Sequence, residues 1–162
     1  IGIGDAITPG PIMIDFPVLL PLPVPRIKSY PAVTSIAEKI DNMLVRGMDN
    51  SRMKDFYDIW LLSTLFPHDF QELRLAIRNT LNRRGTALPE QTPVSLTNAF
   101  ADNSMKQTQW KAFLRKNGLA DAPNSLEEVI GRLAAFLLPV LLQQDGRQGT
   151  WNPNGGTWNH TK

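Results

Sequence analysis

Prolines are concentrated in the first part of the chain. Seven of the thirteen prolines lie between Pro9 and Pro31. Each proline lacks a backbone N–H donor and disfavours a helical conformation at the residue before it. This stretch therefore excludes a regular helix or a central strand, and we expect an extended segment that wraps around the rest of the molecule.

The residues before the prolines alternate in polarity. In the opening IGIGDAI, isoleucines alternate with small or polar residues, which predicts a short strand ending near Asp5. We interpret residues 1–34 as one region, a strand remnant followed by the proline-rich segment. Gly2 and Gly4 are not followed by the helix that a phosphate-binding loop needs, so we do not assign them that role.

The pattern becomes helical from Thr34 onward. Ser35 and Glu38 have the spacing of a capping box, and Gly47 is a stop signal, so the sequence predicts a first helix of about eleven residues. Similar signals predict further helices, from Ser51 to before Pro67, from Asp69 to Gly85, from Leu96 to Ala101, from Ser104 to Gly118 and from Ser125 to near Pro139.

Two of these later helices also begin with capping-box spacing, Ser104 with Gln107 and Ser125 with Glu128. Pro139 should kink or end the last helix. The predicted fold is mainly α, a bundle of five or six helices over residues 35–142, with one short strand at most.

The last segment, residues 143–162, is polar and glycine-rich apart from Trp151 and Trp158. We expect it to be irregular unless those two indoles dock onto the bundle.

Composition excludes several classes of protein. The net charge of +2 is too balanced to indicate nucleic-acid or membrane-surface binding by itself. The absence of cysteine excludes disulfides, a thiolate zinc site and a catalytic cysteine, and it is compatible with a cytoplasmic protein. His68 and His160 are too far apart in sequence to indicate a metal pair, and no Ser/His/Asp set can be assembled from them.

No membrane segment is expected either. The longest apolar run, residues 133–142, has ten residues, half of the ~20 that a membrane helix needs. The start of the chain also lacks the basic leader and apolar core of a secretory signal.

Three charged residues share one face of the second predicted helix. Arg52, Asp55 and Asp58 are spaced three residues apart, opposite an apolar stripe. One interpretation is that the face is solvated and that an Arg52–Asp55 ion pair on it adds little to the stability of the fold. The other is that the face presents a carboxylate to a cleft. In a cleft, that carboxylate could position a metal-bound nucleotide or accept a proton.

Lys39 lies at the edge of an apolar helix face, next to Ile36 and Met43. Its side chain either extends along the apolar surface toward water or binds an anion such as a phosphate. Four arginines on the third helix present a similar choice, between a solvated face and an RNA-backbone contact: Arg74, Arg78, Arg83 and Arg84.

The run AEKIDNMLVRGMDNSRMKDFYDIWLL, residues 37–62, resembles the signature of the AbiEii/AbiGii-type nucleotidyl transferase toxins of type IV toxin–antitoxin systems. In that signature an AEK helix is followed by an R-x-KDfyDi helix. The GIGDAITPGP stretch, the proline-rich segment and the tryptophan- and glycine-containing tail are similar to that family as well.

The resemblance implies a polymerase-beta-like core followed by a helical domain. It also implies Mg²⁺-dependent transfer of a nucleotide from an NTP to an acceptor such as tRNA, with a cognate antitoxin as partner. By position, Lys39 matches the catalytic lysine, with a phosphate-binding role, and Asp55 matches the late acidic motif. Arg52, Lys54 and Asp58 fall in the same motif as candidate substrate-binding residues, of which Asp58 could instead be structural.

One part of the family pattern is missing. The family holds its metal with a Gly-Ser pair followed by an Asp-x-Asp pair, and neither occurs in these 162 residues. We therefore assign no metal ligand and expect this chain to be the C-terminal part of a toxin. On its own, the chain is expected to have no activity and no bound cofactor. The alternatives are a non-catalytic module that binds tRNA or an antitoxin through the four arginines, and a purely structural bundle.

Overall fold

The computed structural model describes residues 10, 12–15, 26–29, 31–142 and 148–160. The strand expected at residues 1–5 lies outside the described residues, as do much of the proline-rich segment and residues 143–147. The rest is mainly helical, which confirms the predicted fold class.

The described residues form six α-helices, two 3-10 turns and two small antiparallel sheets. The helices are α1 Ala32–Arg46, α2 Met53–Leu65, α3 Phe70–Arg84, α4 Asn98–Ala101, α5 Ser104–Asn117 and α6 Leu126–Leu141. The 3-10 turns are Gly47–Asp49 and Val94–Leu96, and the strands are β1 Ile12–Asp15, β2 Arg26–Ser29, β3 Gly149–Asn152 and β4 Thr157–His160.

The first sheet lies within the proline-rich segment. Strands β1 and β2 pair antiparallel, with Ile12 opposite Ser29 and Asp15 opposite Arg26. Neither strand contains a proline, so every residue of both strands has a backbone N–H. These eight residues are extended, as expected for this segment, and the pairing of the two strands with each other is a feature that the sequence did not predict.

Two of the predicted capping boxes do not form. Helix α1 begins at Ala32, and its first amides, those of Thr34 and Ser35, donate to the carbonyl of Pro31 at 3.0 and 3.3 Å. Ser35 is therefore already inside the helix and no capping box forms. Helix α5 is capped by Asn103, whose Oδ1 accepts from the two amides after Ser104, because asparagine is as strong an N-cap as serine.

Other predicted boundaries are confirmed. Asp69 caps α3 by accepting from the amide of Glu72 at 2.9 Å, and Ser125 caps α6 by accepting from the amide of Glu128. Gly85 and Gly118 end their helices in the left-handed conformation, which glycine adopts most readily. Pro139 is inside α6, and the helix ends two residues after it.

The core lies between α1, α3, α2 and α6. Helix α1 packs mainly against α3, and α2 packs mainly against α6. Ile36, Phe56, Leu73 and Leu133 are fully buried in it. Each such side chain stabilises the fold by about 1.5–3 kcal/mol through burial. Among the helices that the structure describes, none is long and apolar enough to span a membrane.

The second sheet is a hairpin that docks onto the bundle. Trp151 on β3 lies opposite Trp158 on β4 and is completely buried. Its indole N–H donates to the carbonyl of Ser63 at 2.7 Å, and the indole N–H of Trp158 donates to the carbonyl of Phe136 at 3.0 Å. The condition stated for this tail is met: both indoles dock onto the bundle, and residues 149–160 form a regular hairpin instead of an irregular segment.

Arg132 on α6 holds this hairpin in place. Its Nη2 donates to the carbonyls of Ser63 and Pro153 at 2.8 and 2.6 Å, and its guanidinium lies over the Trp151 ring at 5.6 Å. Burial lowers the pKa of this guanidinium from its usual value. One side chain thus joins α6, α2 and the turn of the hairpin.

Candidate functional site

Two lysines meet one carboxylate between α1 and α2. The ammonium of Lys39 lies 3.4 Å from Oδ2 of Asp58, and the ammonium of Lys54 donates to the same oxygen at 2.5 Å. The side chains of Lys39 and Asp58 are each 20% exposed. We call Lys39, Lys54 and Asp58 the lysine pair site, and it has more positive than negative charge.

The fold brings these residues together through a short connection. Helix α1 contacts α2, and residues 47–52 join them. Ile36, Ile40 and Met43 of α1 are buried, so Lys39 on the same side of the helix is held close to the surface of α2.

Asp55 is held by Arg52. The Nε of Arg52 donates to Oδ2 of Asp55 at 2.8 Å, and the Asp55 side chain is 7% exposed against 52% for Arg52. The simpler interpretation required Asp55 to lie on a solvated face. Its low exposure shows that it does not. Arg52 itself precedes the first residue of α2. The placement of Lys39 and Asp55 in one shared cleft stays a prediction, since the described partner of Lys39 is Asp58.

The loop before α2 is anchored from α5. The side chain of Asn50 accepts from the backbone amide of Arg52 at 2.9 Å, and its backbone carbonyl accepts from Nζ of Lys106 at 3.0 Å. Lys106 is buried and its ammonium lies 5.4 Å from the centre of the Phe100 ring. This buried contact fixes the point where Arg52 and Asp55 begin α2.

A groove of about 450 Å³ lies between the start of α2 and one face of α5. Its lining residues are Ser51, Arg52, Met53, Lys54, Asp55, Gln109, Ala112, Phe113 and Lys116. We call it the α2–α5 groove. It adjoins the lysine pair site at Lys54, which lines the groove and contacts Asp58.

The four arginines of α3 do not form one solvated track. Arg84 contacts Glu38 and donates to Oδ2 of Asp41 at 2.9 Å, and Asp41 is buried. Arg74 is half-buried, Arg78 and Arg83 are exposed, and Arg84 is exposed in part despite its ion pairs. Arg84 is therefore engaged in an ion pair between α1 and α3, and an RNA contact by all four arginines is not supported.

The α5 side of the site was not predicted from the sequence. Gln109, Phe113 and Lys116 line the groove, and none of them is among the predicted site residues. The signal was present, since residues 109, 112, 113 and 116 share one helix face and mix an amide, an aromatic ring and a cation. Lys106 could not have been found, because its burial depends on contacts with residues about fifty positions away.

The described part of the chain provides no cluster of three or more His, Asp or Glu side chains that could hold a metal ion. Asp55 and Asp58 are each engaged by cationic side chains, Arg52 for one and two lysines for the other. These carboxylates therefore do not fit a Mg²⁺ site as they stand, because Mg²⁺ needs oxygen ligands arranged octahedrally around it.

Comparison with known proteins gives one family. A family model described as nucleotidyl transferase AbiEii toxin, type IV toxin–antitoxin system, matches residues 1–132. The match includes α1 to α5, the lysine pair site and the groove. No curated protein and no solved structure matches the chain.

Proposed function

Because the chain belongs to the nucleotidyl transferase AbiEii toxin family, we propose that its lysine pair site binds the phosphates of an NTP. Lys39 is the principal contact and Lys54 a second one. The cognate antitoxin of such a system is the proposed protein partner, tRNA the proposed acceptor and the cytoplasm the proposed location.

The observation that carries this proposal is the shared carboxylate. Two ammonium groups, those of Lys39 and Lys54, contact a single oxygen of Asp58, so a positive charge remains that a phosphate group can neutralise. An ammonium is a compact point charge that suits a phosphate oxygen. The partial burial of Lys39 strengthens such a contact, because water screens it less.

We assign different roles to the two aspartates. Asp58 positions the ammonium groups of Lys39 and Lys54. Asp55 is the proposed catalytic carboxylate, but only in a complete active site that also holds the metal; there it would accept a proton from the acceptor hydroxyl while Arg52 holds its orientation. Arg52 would also contribute charge toward the bound phosphates.

The metal that the family implies has no assigned ligands in this chain. The described carboxylates do not fit it, and the sequence contains no Gly-Ser pair followed by Asp-x-Asp. We therefore propose no role for Mg²⁺ in the function of this chain. For these 162 residues the proposal is nucleotide binding without transfer.

The first experiment measures NTP binding by isothermal titration calorimetry. Lys39→Met should weaken binding at least about tenfold, the loss of roughly 1.4 kcal/mol of binding free energy. The matched control is Lys111→Met, which removes the same charge from an exposed position on α5 that does not line the groove. Equal losses in both variants would show that only net charge matters, and would contradict the proposal.

The second experiment tests transfer. The chain is incubated with labelled NTPs, Mg²⁺ and total tRNA, and the RNA is examined for label. We expect no labelled RNA, because the described residues include no set that would hold the metal and the sequence has no Gly-Ser pair followed by Asp-x-Asp. Robust labelling would show that this chain has its own complete active site.

One observation supports the alternative function, a non-catalytic role in binding tRNA. Arg78 and Arg83 are both exposed on α3. Substituting both with alanine should reduce tRNA binding if this second function is correct, and should leave NTP binding unchanged.

A further inference from the structure

We propose that Lys106 on α5 is a positioning residue for the Arg52–Asp55 pair at the start of α2. It acts through Asn50, which lies between Lys106 and Arg52 in a chain of hydrogen bonds. This inference rests on the proposed function for the roles of Arg52 and Asp55. It adds a residue that lies outside the signature run of residues 37–62.

The charge of Lys106 is costly where it lies. The residue is 5% exposed, and its ammonium forms no ion pair with a carboxylate of the described residues. Its contacts are the backbone carbonyl of Asn50 at 3.0 Å and the Phe100 ring, whose centre is 5.4 Å away. A buried charge without a counter-ion is unfavourable, and an apolar side chain would pack here without that cost. The ammonium is therefore explained by the carbonyl that it holds.

Lys106 is itself held in a fixed position. It lies in the first turn of α5, and its backbone amide donates to Oδ1 of the N-cap residue Asn103 at 3.2 Å. The Phe100 ring that the ammonium contacts is stacked on Phe56 of α2, with the ring centres 5.1 Å apart. The capped helix start and the stacked ring restrict the ammonium, so Asn50 is held against a rigid support.

The start of α2 has no side-chain cap of its own. Arg52 occupies the N-cap position, and its side chain accepts no hydrogen bond from the first turn of the helix. Instead, the backbone amide of Arg52 donates to Oδ1 of Asn50 at 2.9 Å, and Asn50 is fully buried. A helix start without a side-chain cap is prone to fraying. The backbone position of Arg52 therefore depends on the contact between Asn50 and Lys106.

The direction of the Arg52 side chain follows from that backbone position. Its Nε donates to Oδ2 of Asp55 at 2.8 Å, and the backbone amide of Asp55 donates to the carbonyl of Arg52 at 2.9 Å. The Arg52 side chain is 52% exposed, so packing alone does not fix it. A displacement of the loop at Asn50 would move the guanidinium away from Asp55. Groups that act on a substrate depend on such support for their placement.

The test is an NMR measurement on the whole chain without nucleotide. Two N–H groups of Arg52 report the arrangement, the backbone amide by its hydrogen exchange and the side-chain Nε–H by its chemical shift. Lys106→Met removes the ammonium and keeps the length of the side chain. In this variant the Arg52 amide should exchange at least about tenfold faster, and the Nε–H shift should move toward that of an unpaired arginine. The amide of Leu133, in the core, should be accelerated much less, because a general loss of stability is not the cause.

Asn50 provides a second test that does not require Lys106→Met to fold. Asn50→Ala removes the oxygen that accepts from the Arg52 amide, and it should produce the same changes at Arg52. Asn50→Asp retains that oxygen, so the exchange of the Arg52 amide should stay within about twofold of that in the unsubstituted chain. The matched control is Lys111→Met, which removes the same charge from an exposed position on α5 and should leave both Arg52 signals unchanged.

NTP titrations connect the arrangement with the proposed function. Lys106→Met should weaken NTP binding at least about threefold. The double variant Lys106→Met, Arg52→Met should bind no more weakly than Arg52→Met alone, because Lys106 acts through Arg52. If the unsubstituted chain binds no NTP, the proposed function fails, and the Arg52 signals still decide the role of Lys106.

Three results would overturn the inference. The first is an unchanged Arg52 amide in both Lys106→Met and Asn50→Ala. The second is acceleration of the Leu133 amide by the same factor as that of Arg52, which would make Lys106 a structural residue only. The third is additive losses of NTP binding in the double variant, which would mean that Lys106 acts independently of Arg52.

Discussion

The carboxylate that the Lys39 ammonium meets is that of Asp58, at 3.4 Å, one helical turn further along α2 than Asp55. This contact places the lysine of one helix against the acidic motif of the next. It also means that the charge of Lys39 is only partly balanced within the bundle, because Lys54 contacts the same oxygen of Asp58.

Replacing Lys39 with methionine should have little effect on stability. The ion pair with Asp58 is partly exposed, Asp58 keeps Lys54 as a partner, and methionine packs well beside an apolar face. We expect the free energy of unfolding to change by less than about 1 kcal/mol, in either direction. Thermal melts of the two proteins measure this. A large drop in melting temperature would show Lys39 to be a structural residue.

Arg84→Ala should destabilise the fold by about 1–3 kcal/mol, because the buried carboxylate of Asp41 loses its charged donor and, among the described residues, keeps the hydroxyl of Thr86. Arg83→Ala is the control, since Arg83 is exposed and should change stability by no more than about 0.5 kcal/mol. Urea denaturation compares the variants. Equal stability of both, with reduced RNA binding by Arg84→Ala alone, would instead support an RNA contact at Arg84.

Trp151→Ala should be one of the most destabilising changes in the chain, by about 3–5 kcal/mol, because it removes a fully buried indole and its hydrogen bond to Ser63. Trp158→Ala should cost less, since Trp158 is only half-buried. Calorimetric melting distinguishes the two. A smaller effect at Trp151 than at Trp158 would contradict the docking of the hairpin.

Mild acid should weaken the fold through His68. Burial lowers the pKa of its imidazole below the usual 6.5, although the hydrogen bond to the carbonyl of Leu62 opposes this. As the pH falls below about 6.5, the unfolded chain takes up a proton that the folded chain does not, so stability decreases by at most about 1.4 kcal/mol per pH unit.

The measurement for His68 is a series of melts between pH 7.5 and 5. In His68→Gln, which retains a side-chain donor, the melting temperature should depend less on pH over this range. An unchanged pH dependence would assign the acid sensitivity to other groups.

Helix positions were well predicted because their signals are local. Asp69, Ser125, Gly85 and Gly118 act on amides or carbonyls within a few residues, so the sequence is sufficient to place them. The predicted start of α1 was wrong for the same reason, since Ser35 has the right local spacing but Pro31 begins the helix earlier.

The docking of the second sheet and the groove could not be predicted, because both depend on residues far apart in sequence. Trp151 pairs with Ser63, 88 positions away, and Lys106 reaches Asn50 across 56 positions. Asp55 has the spacing of a surface residue, and its burial is not evident from the sequence of α2 alone.

The docked hairpin also has a consequence for synthesis of the chain. Ser63 and Arg132 leave the ribosome before residues 149–160. The carbonyl of Ser63 and the guanidinium of Arg132 therefore lack their contacts with Trp151 and Pro153 until those residues have emerged. Until then the space that the Trp151 indole fills is open and its apolar walls are exposed. Packing of the helices is therefore completed only after translation has passed residue 160, and a ribosome stalled before that point would hold an incompletely packed bundle.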